Sequence, residues 1–183
     1  MTLSDAEMQV IADKLAIRDL LHCYCRGLDR MDRALALSAF HANAELDYGA
    51  SFRGSAVQFM DWVWPNHERG TRHSHNITNC YVEIDGDRAA SESYSYMIMR
   101  LDLPNGAMQL QSNGRYLDEW QRRDGRWGIV RRQSVHEFQD MRRIEGPAAT
   151  KRDTLATRDT SDPSYALSPA LFAAAGTCSS SQE

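Results

Sequence analysis

The chain has 183 residues, with 21 Lys and Arg against 25 Asp and Glu and a formal net charge of −4. That length suits one domain with a sizeable core, and the lack of any basic run argues against nucleic acid as a partner. The N-terminus carries no apolar core of signal-peptide length and no apolar run reaches membrane-spanning length, so a soluble, cytoplasmic chain with no membrane partner is expected.

The first element predicted is a helix over residues 5–28. Ile17, Leu20, Leu21, Tyr24 and Leu28 recur at the spacing of one helix face, which would bury Tyr24 among apolar neighbours and leave Asp29 just past Gly27. A phenol and a carboxylate at the end of a core-facing stripe suit a buried polar pocket. They also suit a plain core aromatic with its hydroxyl satisfied, and an Asp29 or Asp32 that caps a second short helix running to His41. Cys23 and Cys25, two apart on a helix, point roughly 200° apart and cannot easily share a metal or a disulfide. Cys80 and Cys178 add no metal spacing, and all four are read as reduced thiols.

A short strand is expected over Ala44 to Tyr48 and a turn over Gly49 to Gly54. Ser55 then caps a third helix through Phe59, Met60, Trp62 and Val63 until Pro65 interferes. Three hairpin signals follow, Asp85-Gly86, Asn105-Gly106 and Asp124-Gly125, between segments rich in Val, Ile, Tyr, Met and Trp. They predict an antiparallel meander of four long strands, about Thr71 to Ile84, Asp87 to Leu103, Ala107 to Arg123 and Arg126 to Gln139. Strands of that length must curl, with a bulge expected at Gly114. The fold class is therefore α+β, a cone-shaped curved antiparallel sheet covered by three N-terminal helices. Residues 1–142 form this domain, and residues 143–183 an arm with a disordered end at Cys178 to Glu183.

Two-residue turns fix a register by addition: Ile84 opposite Asp87, Pro104 opposite Ala107, Arg123 opposite Arg126. Extended without slips, this sets His75 opposite Tyr96, Tyr96 opposite Arg115 and Arg115 opposite Ser134. His73, His75, Tyr94, Tyr96, Arg132, Ser134 and His136 then share one face, with Asn79 two rungs on. Aromatics, histidines and an arginine together suit a pocket doing polar chemistry on an apolar molecule. The plainer reading of His73 and His75 is a pair of hydrogen-bonded strand histidines, and a metal held by His73, His75 and Asp29 is a further alternative. Tyr48, Trp64 and several methionines add to the aromatic, apolar side of the pocket.

The helix ending Tyr24-Cys-Arg-Gly-Leu-Asp29, the Trp64-Pro65 end of the third helix, His75-Asn-Ile-Thr-Asn79, and the Tyr116 to Trp127 hairpin resemble the SnoaL-like branch of the nuclear-transport-factor-2-like superfamily. The resemblance spans about Ala6 to Arg142 and implies that α+β barrel. Its cofactor-free members include scytalone dehydratase, hexachlorocyclohexane dehydrochlorinase, bile-acid 7α-dehydratase and formaldehyde-releasing diarylpropane lyases. It implies a His–Asp dyad at His75 and Asp29, a strand arginine at Arg132 and a helix tyrosine at Tyr24. Tyr48, Trp64, His73, Asn79, Tyr94, Tyr96, Ser134 and His136 would contact substrate. The expected activity is a lyase with no metal or other cofactor, acting on a small aromatic, lignin-derived compound by deformylation or dehydration, in a homo-oligomer (trimer or dimer). The alternatives are a non-catalytic ligand binder and the small subunit of a ring-hydroxylating dioxygenase.

Overall fold

The computed structural model describes residues 2–68, 72–145 and 154–167. Helix α1 (Asp5–Asp29) starts on a capping box, the Ser4 hydroxyl receiving the Glu7 N–H while the Glu7 carboxylate receives the Ser4 N–H. Ile17, Leu20, Leu21, Tyr24 and Leu28 are all buried, so the stripe seen in the sequence is the core face. Helix α2 (Arg33–Leu37) is capped by Asp32, which accepts from the Leu35 N–H at 2.9 Å.

Helix α2 is shorter than expected. Phe40 and His41 open strand β1 (Phe40–Asp47) rather than closing the helix. The Ile129 N–H reaches the Ala39 carbonyl at 2.9 Å and His41 Nε2 meets the Gln121 carbonyl at 2.9 Å. These partners lie some eighty or more residues away, and no local propensity reveals them. Strand β2 (Arg53–Ser55) pairs back on β1, within the segment read as a turn. Helix α3 (Ala56–Glu68) runs past Pro65. Pro65 removes one N–H from the ladder, and the residue one turn before it, Asp61, is exposed to water.

Strands β3 (Arg72–Asp85), β4 (Arg88–Leu103), β5 (Gly106–Arg123) and β6 (Arg126–Arg143) form the expected antiparallel meander. The sheet order is β2-β1-β6-β5-β4-β3, with β1 parallel to β6, and the sheet curves without closing. Helix α1 packs against β3 and β6, and α3 packs against β1 and β2.

Only the third hairpin keeps the expected register, Arg123 pairing with Arg126 across Asp124 (φ 51°) and Gly125 (φ 75°). The first loop is Gly86-Asp87, since Asp85 pairs with Arg88, and Gly86 at φ 60° supplies the positive-φ first position. The second is Pro104-Asn105, since Leu103 pairs with Gly106. Bulges shift the ladders at Ile77/Cys80, at the expected Asn113/Gly114, and at Glu119/Trp120. As a result His75 faces Met97 rather than Tyr96, Tyr94 takes the place opposite Arg115, and Asp118 rather than Leu117 stands opposite Arg132. One extra residue per bulge reverses the side-chain alternation beyond it.

Cys25 and Cys80 are free, whereas Cys23 is disulfide-bonded, which corrects its reading as a reduced thiol. Cys23 lies half-buried on the flank of α1, while Cys25 is in the core, where burial pushes its thiol up to about 12. Cys178 and the C-terminal end expected to be disordered lie outside the described residues.

Candidate active site

Asp29 is the last residue of α1, and β3 crosses that helix end. The Asp29 carboxylate receives the backbone N–H of His75 at 3.0 and 3.2 Å and His75 Nδ1 at 2.7 Å. The carboxylate therefore fixes both the strand and the ring, and with Nδ1–H donating, Nε2 carries the lone pair. Both side chains are largely buried, 9% exposed for His75 and 15% for Asp29. His75 lines a partly open cavity on one side, and both residues line a surface cleft with His22, Arg26 and Arg30.

His73 stands behind this pair. Its Nε2 donates to the Leu28 carbonyl at 2.9 Å and lies 3.8 Å from Asp29 Oδ1, and burial first, with charge from His75, lowers its pKa. It does not line the cavity. Asp29, His73 and His75 offer ligand atoms within 4.8 Å of one another, as the metal alternative requires. His73 Nε2 is held by Leu28 and Asp29 by His75, while His73 Nδ1 has no hydrogen-bond partner among the described residues, so the cluster keeps the ligand atoms that a metal would need.

The cavity, about 530 Å³, lies between the concave face of the sheet and helices α1 and α3. Leu28, Phe59, Trp62, Val63, Met97 and Met99 form its apolar side. The wall also carries the phenols of Tyr24, Tyr48 and Tyr116, the Tyr48 ring stacked on Phe59 at 4.5 Å, together with Ser95, Asn113, Ser134 and His136. The Tyr24 and Tyr48 hydroxyls are 3.2 Å apart. Burial raises the pKa of all three phenols, so they stand as neutral hydrogen-bond donors.

Arg132 is where the sequence reading needs its largest correction. It is fully buried and does not line the cavity; its guanidinium is packed behind the rings of Tyr116 (4.1 Å to the centroid), Tyr24 (4.5 Å) and Phe40 (5.3 Å). Asp118, also fully buried, takes Nε at 2.7 Å and Nη2 at 2.8 Å. Burial pushes the Asp118 carboxyl up against the pull of the guanidinium, whereas Asp118 holds the Arg132 pKa up against burial, and the bidentate geometry is that of a charged pair. Nη1 has no hydrogen-bond partner among the described residues, and the cation lowers the pKa of the Tyr48 phenol against the effect of burial. Arg132 thus polarises the phenols from behind.

Four further readings change. Tyr94 is 42% exposed with the Arg115 guanidinium over its ring, and Tyr96 shares that outer side, because Ser95, Met97 and Met99 are the β4 residues turned inward. Asn79 falls in the bulge before Cys80 and is exposed. Trp64 gives way to Trp62 and Val63, since the uninterrupted helix turns Phe59, Trp62, Val63 and Asn66 to the cavity at i, i+3, i+4, i+7. Tyr48, Ser134 and His136 do line it.

The sequence reading also missed His67. It is 4% exposed, lines the cavity, and packs tilted against His73 with ring centres 4.2 Å apart and 6.0 Å from His75. Burial, then the charges of His73, His75 and Arg158, lower its pKa to about 3, so it is neutral at neutral pH. The signal was present in the spacing: His67 follows Val63 by one helical turn, but only if the helix passes Pro65.

Comparison with known proteins agrees with this architecture. A family described as a SnoaL-like domain matches residues 9–133. Among solved structures, hexachlorocyclohexane dehydrochlorinase LinA-type3 from Novosphingobium barchaimii is similar at 21% identity and a TM-score of 0.61, over 76% of this chain and 99% of that one. A protein provisionally assigned as a scytalone dehydratase, from Novosphingobium aromaticivorans, is similar at 20% identity and 0.57, over 79% and 97%. A Kribbella flavida protein is similar at 17% and 0.65, over 72% and 95%. No curated protein matches the chain.

Proposed function

The chain belongs to the SnoaL-like domain family, and from that premise we propose that it is a cofactor-independent lyase that carries out an elimination on a small phenolic or polycyclic aromatic compound. The leaving group is formaldehyde or water. The observation that carries this reading is the 2.7 Å bond from His75 Nδ1 to Asp29, with His75 on the wall of a cavity that also holds the paired phenols. Two of the structures sharing the fold are named as a dehydrochlorinase and, provisionally, a dehydratase, and both names denote eliminations.

His75 Nε2 takes a proton from a carbon or a hydroxyl of the substrate, and the Asp29 carboxylate stabilises the imidazolium that results. In a dehydration, the carbanionic electron pair forms a double bond as hydroxide leaves, and that hydroxide takes up the proton. In a deformylation, removing the proton of a hydroxymethyl group lets its oxygen close to a carbonyl as the adjoining C–C bond breaks, and the electron pair left on the substrate carbon takes the proton back from the His75 imidazolium. Tyr24 or Tyr48 donates to the departing or developing oxygen, with the Arg132 charge behind them. Donors fixed in advance at such a position are worth about 2.7–4 kcal/mol each. Neutral His67 offers a further polar contact from the α3 side. The apolar wall of Phe59, Trp62, Met97 and Met99 seats the flat ring.

The test is a screen of lignin-derived diaryl compounds, hydroxylated polycycles and halogenated rings, following formaldehyde, loss of water and halide, with His75→Gln as the blank. Turnover of at least one aromatic class, unchanged after dialysis against a chelator and absent in the blank, is the expected result. Tight binding with no product from any compound would make the protein a ligand binder.

A further inference from the structure

Residues 154–167 lie beyond residues 9–133 that match the family, so nothing in that match accounts for them. Three arginines of the folded body reach out to this segment. Arg72 Nη1 donates to the Ala156 carbonyl at 3.2 Å, Arg30 Nη1 to the Thr157 carbonyl at 3.0 Å, and Arg26 Nη2 to the Ser164 hydroxyl at 3.2 Å. The Arg26 guanidinium also sits 5.1 Å from the Tyr165 ring centre. Asp162, 6% exposed, ties the segment to itself and to the body. It accepts from the Thr157 N–H at 3.1 Å and from the Ser164 N–H and hydroxyl at 3.0 and 2.6 Å, and lies 3.5 Å from Arg30 Nη1.

Held this way, the segment turns Arg158 back into the body, where its Nη2 donates to the His67 carbonyl. We infer that Arg158 is a positioning residue of the site: residues 154–167 seat its guanidinium on the last turn of α3, and this fixes the His67 ring in the cavity wall. The inference rests on the function proposed above.

That turn needs an outside partner for two reasons. The last carbonyls of any helix lack an intrahelical donor, and Pro65 has already removed one N–H from the ladder just before it. A cation at a helix C-terminus serves the free carbonyls and the negative end of the helix dipole together. Arg158 also acts electrostatically on His67, His73 and Asp29. Its charge therefore lies close to the histidine cluster, and among the described residues none of 154–167 lines the cavity.

The experiment compares Arg158→Ala, Arg158→Lys and Asp162→Ala with the full-length wild type by amide hydrogen exchange and by steady-state kinetics. Arg158→Ala and Asp162→Ala should speed exchange at Asn66, His67 and Glu68 by about tenfold or more, while the amides of residues 17–28 stay protected. On a compound that the wild type turns over, Arg158→Ala should lower kcat by about tenfold with KM changed less than about threefold, because a displaced group harms the reaction more than the binding. Arg158→Lys, which keeps the charge and a donor, should recover most of both effects. Unchanged exchange at residues 66–68 in Arg158→Ala would overturn the inference, as would a loosened turn that leaves kcat unaltered. Where no compound is turned over, exchange alone decides whether Arg158 holds the turn, and the failure then belongs to the dyad reading.

Discussion

Arg132 shows how a residue's neighbours change what its substitution should do. Were it on the cavity wall, replacing it would weaken substrate binding and little else. Buried against Asp118, it leaves a carboxylate stranded in the core when removed. Arg132→Met should therefore destabilise the fold by about 3–5 kcal/mol in urea unfolding, the usual consequence of breaking a buried pair. The double variant Arg132→Met with Asp118→Leu should recover most of that stability, yet not the turnover, since the phenols lose the cation behind them. Recovery of both would show that the pair serves the fold alone. Asp29 stands out in the sequence just past a helical stripe and His75 on an alternating strand, but their pairing is what the family resemblance implies and neither pattern alone shows it; the structure places them 2.7 Å apart. His67 could not be read from the sequence, because Pro65 argued for a helix end where tertiary packing carries the helix on.

Between elements, α1 and α2 approach closely at Gly27. A methyl group built on Gly27 would lie 2.3 Å from the Ala36 backbone nitrogen. In an exposed helix, Gly to Ala adds about 1 kcal/mol of stability, so Gly27→Ala tests this packing by sign. It should lower the unfolding free energy by about 1–3 kcal/mol, the range for overfilling a packed interface. A gain in stability would mean that the two helices separate easily. The hairpins show the limit of addition along a sequence. All three turns were found, but a Gly-led loop and a Pro-Asn loop moved two of them by a residue. Bulges then reversed the faces of Tyr94, Tyr96 and Asn79. Gly114 could be foreseen as a bulge because a glycine inside a long strand marks one, and in the structure a side chain there would meet the Val135 carbonyl at 2.6 Å. The bulge at Glu119/Trp120 has no glycine to mark it.

Over the whole molecule, the curved sheet and the helices bury a cluster of three histidines, and this has a consequence for stability. His67 has a folded pKa of about 3 against 6.5 for the unconstrained side chain, burial being the main cause. Below pH 6.5 the unfolded chain takes up a proton that folded His67 refuses, so stability present above 6.5 falls as pH drops toward 3, by about 1.4 kcal/mol per pH unit. Between pH 7 and 4.5 the wild type should lose about 2–3 kcal/mol more than His67→Phe, measured by urea unfolding at each pH. Equal losses would place His67 in water.

The central claim is that His75, oriented by Asp29, is the base of an elimination inside this cavity. Its most direct measurement is the turnover of His75→Gln and Asp29→Asn on the compound that the wild type converts, with ligand affinity followed in parallel by tryptophan fluorescence. Both variants should bind that compound nearly as well as the wild type. His75→Gln should lose roughly 10²- to 10⁴-fold in kcat, the contribution of a positioned acid–base group, and Asp29→Asn nearly as much. Wild-type turnover in His75→Gln would contradict the account.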